Sequence, residues 1–262
     1  MKHTARLVVI GGLASYRALF SWLTPWILVP SFILAPIFQV LLFSYIGRTA
    51  GVGSDTFFLI GNAVQYASIP CLFAMGNTIQ GERFQNTLPL LLASPARRVP
   101  LFLGRALPVI VNGFAVAMVT LFAGALLLGV SLPLATLGPL ALVVAVAAFS
   151  CTGLGVFMAG IALRVREAAV LSNLGYGVLL IFAGVNIPLE DLPRWMAVAA
   201  GWMPMTHGIA AAREIAGGAS LGDIGGLLLQ EAGLGVLYVL IGLLLLNYLE
   251  RESRRLSTLD TA

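Results

Sequence analysis

Apolar residues run along this chain in long unbroken stretches separated by short polar segments. Six stretches are long enough to cross the hydrocarbon core of a bilayer, roughly 30 Å, which takes about 20 helical residues. They cover about residues 19–47, 56–79, 100–130, 133–163, 168–187 and 226–249. The third and fourth exceed what a span requires, so part of each is expected to tilt or to lie at the interface. The runs are continuous rather than alternating, which excludes a β-barrel pattern. The pattern predicts an all-α integral membrane protein, with six transmembrane helices in a single domain over residues 1–262.

The polar segments predict further elements. Residues 81–99 read GERFQNTLPLLLASPARRV and carry Glu82, Arg83, Arg97 and Arg98. Asn86 or Thr87 can cap a helix, Pro89 is tolerated only in its first turn, and Pro95 disfavours helix at Ser94. What remains is a short cytoplasmic helix between spans 2 and 3, about 10 Å long, with Leu88, Leu91 and Leu92 on its apolar face. Residues 188–225 predict two short outer helices between spans 5 and 6, dipping into the outer leaflet. Pro193 suits the first turn of one, with Asp191 as its cap. Pro204 starts the other, with Arg213 and Glu214 near its end. Trp195 and Trp202 fit the headgroup layer. Residues 1–18 carry Lys2 and Arg6 before LVVIGGLAS, as a signal peptide would, but Arg17 and a full span follow at once. Leu7, Ile10, Leu13 and Tyr16, with Phe20, recur at helical spacing and predict an N-terminal interfacial helix.

Composition removes a soluble reading. The chain is 59% hydrophobic and 10% charged, with mean hydropathy +0.97, and 262 residues cannot bury that much apolar surface. The net charge of +4 and pI near 9.4 do not mark a nucleic-acid partner, because the basic residues sit at the ends of apolar runs. With both termini cytoplasmic, the inner segments hold Lys2, Arg6, Arg17, Arg83, Arg97, Arg98, Arg105, Arg164, Arg166, Arg251, Arg254 and Arg255. The outer segments hold Arg48, Arg194 and Arg213. This is a positive-inside pattern, and an odd number of spans would break it. Lys2 is the sole lysine, beside heavy use of alanine, glycine and leucine. That bias fits a GC-rich bacterial genome and hence the plasma membrane.

Several chemistries are excluded. A Walker A loop needs a lysine behind a glycine-rich turn, and Lys2 has none. His3 and His207, the only histidines, cannot form a HExxH zinc site. Residues 218–222 match G-x-S-x-G but lie in a glycine-rich linker, without the strand that strains a nucleophile. Cys71 and Cys151 read as small core residues. Gln39, Asn62, Gln65, Asn112, Asn173 and Tyr176 lie within spans and predict interhelical hydrogen bonds. Asn112, Asn173 and Glu231 are also candidates for a substrate path. Glu231 is expected at the interface or paired with Arg213 or Arg194, and Arg105 is expected to snorkel. Gly226 and Gly233, then Gly235 and Gly242, recur at seven-residue spacing, which predicts close helix packing.

The 81–99 segment resembles the coupling segment of ABC type 2 exporter permeases, roughly E-R-E-x-G-T-L-E-x-L-L-x-x-P. Glu82, Arg83, Thr87, Leu88, Leu91, Leu92 and Pro95 fit it, while Phe84, Asn86 and Pro89 depart from it. A second stretch is similar to the family's sequence after span 5: AGVNIP ending at Pro188, then Leu192, Pro193 and Trp195, then Pro204 and Arg213. The resemblance covers nearly the whole chain. It implies a permease subunit that pairs with a second permease chain and docks a separate ABC ATPase through Glu82, Arg83, Thr87, Leu88, Leu91, Leu92, Pro95, Arg97 and Arg98. No cofactor is expected on this chain, since ATP and Mg would bind the partner ATPase. Substrate would move outward toward the segment with Pro188, Pro193, Trp195, Trp202, Pro204 and Arg213. Trp195, Trp202, Met203 and Met205 suit an apolar or amphipathic cargo such as a drug, an antibiotic or a lipid. Export of a lipid-linked glycan by the same machinery stays open, as does an ATP-independent channel or secondary transporter.

Overall fold

Prolines shape the first two spans. The computed structural model describes residues 24–84, 98–165 and 167–256. Helix α1 (Pro25–Val29) passes through a π-turn (Pro30–Leu34) into α2 (Ala35–Ala50). Pro36 has no N–H for the ladder, and beside it the register slips so that the Ala35 N–H reaches Pro30 O, an i→i−5 bond. The second span is two helices, α3 (Asp55–Tyr66) and α4 (Ser68–Phe84), where the sequence predicted one over residues 56–79. Pro70 is the cause, because its ring would clash with the carbonyl of Tyr66, four residues back. Helix α3 starts on Ser54, whose hydroxyl accepts from Phe57 N at 3.1 Å. Arg48 and Asp55 pair at 2.6 Å and close the α2–α3 turn.

The remaining elements are α5 (Arg98–Leu128), α6 (Leu134–Ala162), α7 (Ala168–Phe182), α8 (Arg194–Ala200), α9 (Thr206–Ala216) and α10 (Gly225–Leu256). No strand occurs among the described residues. Among the described residues, five stretches are long and apolar enough to cross a membrane: Trp26–Ala50, Asp55–Gly76, Gly104–Leu128, Leu134–Ala162 and Gly225–Leu249. The long third and fourth runs are single helices of 31 and 29 residues. Helix α7 is apolar but has only 15 residues, about 22 Å of helix. Its chain leaves the helix after Phe182, five residues before the end read from sequence, and turns at Gly184 with φ 71°.

Helix α6 is the hub and packs against α10, α4, α5, α9 and α7. Its approach to α10 is close because both faces are glycine. A β-carbon at Gly153 would lie 2.5 Å from Gly235 O, and one at Gly235 would lie 2.8 Å from Ser150 Cα. One at Gly242 would lie 2.6 Å from the Phe157 backbone nitrogen. At Gly226 and Gly233, nothing beyond the helix itself lies within 4 Å of where a β-carbon would be. The close packing read from sequence therefore holds for the second pair and not for the first. Small residues let helix backbones meet in this way in a membrane, where apolar burial alone gives no drive. Cys71 and Cys151 are buried and free in this core. The interfacial helix read over residues 1–18 and the short helix read over 88–94 lie outside the described residues.

Candidate functional site in the connection between α7 and α10

Residues 183–224 form a folded hairpin rather than a loop. A 3-10 turn (Leu189–Asp191) follows Pro188, and α8 begins directly after Pro193. Asp191 does not cap α8, because its N-cap is Pro193 and no side chain bonds there. Helix α9 starts at Thr206, two residues after Pro204, because Met205 takes a left-handed conformation with φ 72°.

Glu231 explains that strained residue. Its carboxylate, fully buried on α10, accepts from Met205 N at 2.6 Å and from Gly208 N at 3.0 Å. The open N–H groups at a helix start attract an anion, so Glu231 ties the start of α9 to α10. It pairs with neither Arg213 nor Arg194, contrary to the sequence expectation. The carboxylate reaches backbone donors that no residue pattern displays. Gly208 permits the fit, since a β-carbon there would sit 3.0 Å from Ala147 Cβ on α6. Tyr238 on α10 donates to Trp202 O at 3.0 Å. Residues 231 and 238 lie about 9 and 20 Å along α10 from Gly225. The turn between α8 and α9 therefore lies well inside the end of the bundle. Trp195 and Trp202 are both exposed, the first in the opening turn of α8 and the second two residues beyond its end.

Arg213 holds the other end. Its Nη1 donates to Gly184 O at 2.7 Å, and its Nη2 to Val185 O at 2.7 Å and Phe57 O at 3.2 Å. Burial lowers its pKa to about 10, so it stays charged at neutral pH. These bonds satisfy carbonyls where α7 unwinds, and unwound backbone at membrane depth is tolerated only where protein satisfies it. Gly61 leaves the room, since a β-carbon there would lie 2.3 Å from Val185 O.

A polar chain continues inward. Asn186 Oδ1 accepts from Asn62 Nδ2 at 2.8 Å, Asn62 Oδ1 from Gln39 Nε2 at 2.8 Å, and Gln39 Oε1 from the Tyr176 hydroxyl at 3.1 Å. Gln39, Asn62 and Tyr176 thus make the interhelical bonds read from sequence, while Asn186 was not singled out. Gln65 is buried, and among the described residues neither its amide nitrogen nor its oxygen has a partner. Asn173 is exposed on α7 and donates back to Ala169 O at 2.9 Å. Asn112 is half-buried on α5. No hydrogen bond among the described residues brings Asn112, Asn173 and Glu231 together.

At the opposite end of the bundle, Glu82 and Arg83 ride on the last turn of α4, and Arg98 opens α5. Thr87, Leu88, Leu91, Leu92, Pro95 and Arg97 lie outside the described residues.

A bundle with five apolar helices of membrane-crossing length among the described residues is a multi-pass membrane protein. The model of the ABC-2 type transporter family matches residues 14–216, and the chain belongs to that family. The match covers the hairpin through α9 and ends before α10. Comparison with curated proteins gives no match. Family membership makes the chain the transport component, not a catalytic domain, and implies pairing with an ABC ATPase subunit.

Proposed function

We propose that this chain is the membrane half of an ABC exporter and moves an apolar or amphipathic substrate outward. A separate ATPase, carrying ATP and Mg, drives it. The observation that carries this reading is the charged segment 81–99, set between two spans and entered from a helix that continues through Glu82 and Arg83. Glu82, Arg83, Thr87, Leu88, Leu91, Leu92, Pro95, Arg97 and Arg98 form the ATPase dock. A rigid α4 carries a push on that dock toward α3, and Phe57 and Asn62 on α3 are bonded to the hairpin region. The dock and the outer hairpin are thus two ends of one mechanical path.

The dock faces the cytoplasm of a bacterial cell, with both termini on that side, because the basic residues partition that way. A second permease chain, identical or related, completes the translocation path. Asn112 and Asn173 remain candidates for its lining, whereas the Glu231 carboxylate is committed to the start of α9. Co-purification with an ABC ATPase, followed by ATP-dependent transport in vesicles, tests the reading. Robust ATP hydrolysis by this chain alone overturns it.

A further inference from the structure

Two polar side chains deep in the bundle have no partner among the described residues, and the register of their helices sets them opposite each other. Gln65 on α3 is fully buried, and neither atom of its amide is bonded. Thr206, the first residue of α9, is buried with its hydroxyl unbonded. Buried threonines elsewhere in the chain escape this. Thr78, Thr120 and Thr152 each donate to the carbonyl four residues back, at 2.7 to 2.9 Å, as threonine can inside a helix. Thr206 opens its helix, and the carbonyl four residues back, Trp202 O, lies in the preceding turn and accepts from Tyr238.

Arg213 fixes how the two helices lie. Its Nη2 donates to Phe57 O, and a β-carbon at Gly61 would sit 2.7 Å from that nitrogen. Helix α3 runs inward from the Ser54 turn, α9 runs back outward from Met205, and the two pack together. Thr206 precedes Arg213 by seven residues, which puts it on the same face of α9 and about 10 Å deeper. Gln65 follows Phe57 by eight residues and Gly61 by four, on the face that meets Arg213, and about 12 Å deeper than Phe57. The two side chains therefore stand at one level, beneath the guanidinium.

We infer that Gln65 and Thr206 bind one water molecule between α3 and α9. An amide left unpaired in an apolar core is costly. The chemistry of the pair selects water, because Nε2 needs an acceptor, Oε1 needs a donor, and the hydroxyl can serve as either. One water can accept from Nε2 and bond both Oε1 and the Thr206 hydroxyl, and about three bonds is usual for a buried water. The surroundings exclude anything larger, since Val64, Ile209 and Ala212 on the same two helices are also buried. A metal cation would need more oxygen ligands than these two side chains supply. The water holds the deep end of α9 to α3, as Arg213 holds its outer end. The inference does not rest on ATPase coupling.

The test compares Gln65→Leu, Thr206→Val and the double variant with the unsubstituted full chain, by denaturant unfolding in one detergent. Each single change strands the other partner and should raise the unfolding equilibrium constant about tenfold, equivalent to 1.4 kcal/mol. The double variant removes both partners together and should regain most of that loss. Two unconnected side chains behave in the opposite way: each single change deletes an unpaired group, stability holds or rises, and the effects add. That outcome overturns the site. A second measurement separates a water from a direct bond between the two side chains. In the full chain labelled with ¹⁵N-glutamine, the Gln65 side-chain amide is identified by its loss in Gln65→Leu, or in Gln65→Met should the leucine variant not fold. It should show magnetisation transfer from water, and that transfer should vanish in Thr206→Val. No transfer in the unsubstituted chain, or transfer that survives Thr206→Val, overturns the bridge.

Discussion

The guanidinium carbon of Arg213 lies 3.5 Å from the centroid of the Phe57 ring, and Nη2 of the same group donates to the Phe57 carbonyl. One side chain thus holds the start of α3 at Phe57 and, through Gly184 and Val185, the unwound end of α7. Helix α7 is too short to finish a crossing alone. The fold completes it with irregular backbone whose carbonyls are bonded from the side by a buried cation, and the cation gains from the ring face beneath it.

Removing that cation should be costly. Arg213→Ala removes the charged donor from the Gly184 and Val185 carbonyls, each such bond being worth about 1.5–3 kcal/mol. A loss of about 3 kcal/mol or more is expected in denaturant unfolding of the detergent-solubilised chain. Arg213→Lys keeps the charge but not the planar fork and should fall between. Unchanged stability in Arg213→Ala would show that the Gly184 and Val185 carbonyls have other partners.

Glu231 is a second fastening with a distinct signature. A glutamine has one acceptor oxygen where the carboxylate has two, so Glu231→Gln can satisfy Met205 N or Gly208 N but not both. The expected cost is about 1–3 kcal/mol for the orphaned donor. Amide hydrogen exchange at Met205 and Gly208 should accelerate while the amides of α6 stay protected. Equal protection in both proteins would remove the fastening role.

The glycine faces separate by contact. Gly242→Leu drives a side chain into the Phe157 backbone and should destabilise by at least about 3 kcal/mol, at the upper end of overpacking costs. Gly160→Ala, where a β-carbon would lie 3.2 Å from the Leu245 side chain and 3.3 Å from Gly242 O, should be milder, since both contacts are only a few tenths of an ångström short. Thermal unfolding of the two variants in one detergent decides between a backbone seam and an ordinary apolar face.

Topology follows from the arginines. In a background with Cys71 and Cys151 replaced by alanine, cysteines at Ser54 and Ser220 should react with an impermeant reagent added outside. Cysteines at Ser94 and Ser253 should react only after permeabilisation. Labelling at Ser94 from outside would invert the orientation and remove the proposed ATPase face.

What could be read from sequence, and what could not, divides along physical lines. The spans were legible because hydropathy is local and a span needs a fixed length. The break at Ala67 was not inferred, although Pro70 was visible, because proline is often tolerated inside a transmembrane helix. The short α7 was over-read because AGVNIP is apolar enough to extend the run, and its unwinding depends on Arg213, 29 residues away from Gly184. Gln39, Asn62 and Tyr176 were legible as interhelical bonders, since a polar side chain in hydrocarbon must find a partner. Asn186 sits at a span end, where solvent would have served as well. Glu231 stood out as an intramembrane acid. Its partners are backbone N–H groups, which every residue but proline carries and no sequence pattern marks.

The coupling segment is the decisive test of function. If residues 88–94 form the docking helix, its apolar face fills a groove on the ATPase, and Leu91 and Leu92 lie adjacent on that face. Burying each contributes about 1.5–3 kcal/mol, so an aspartate at either position loses that burial and places a charge in an apolar groove. Leu91→Asp or Leu92→Asp should abolish transport and weaken ATPase co-purification while the chain still inserts in the membrane. Arg97→Ala should be milder, because a rim charge contributes little at equilibrium, and its effect should appear as a slower, less salt-sensitive encounter. A passive surface helix makes the opposite prediction, namely full ATPase recovery with both leucine variants. Undiminished recovery in a pull-down would leave the family assignment standing and would move the dock away from Leu91 and Leu92.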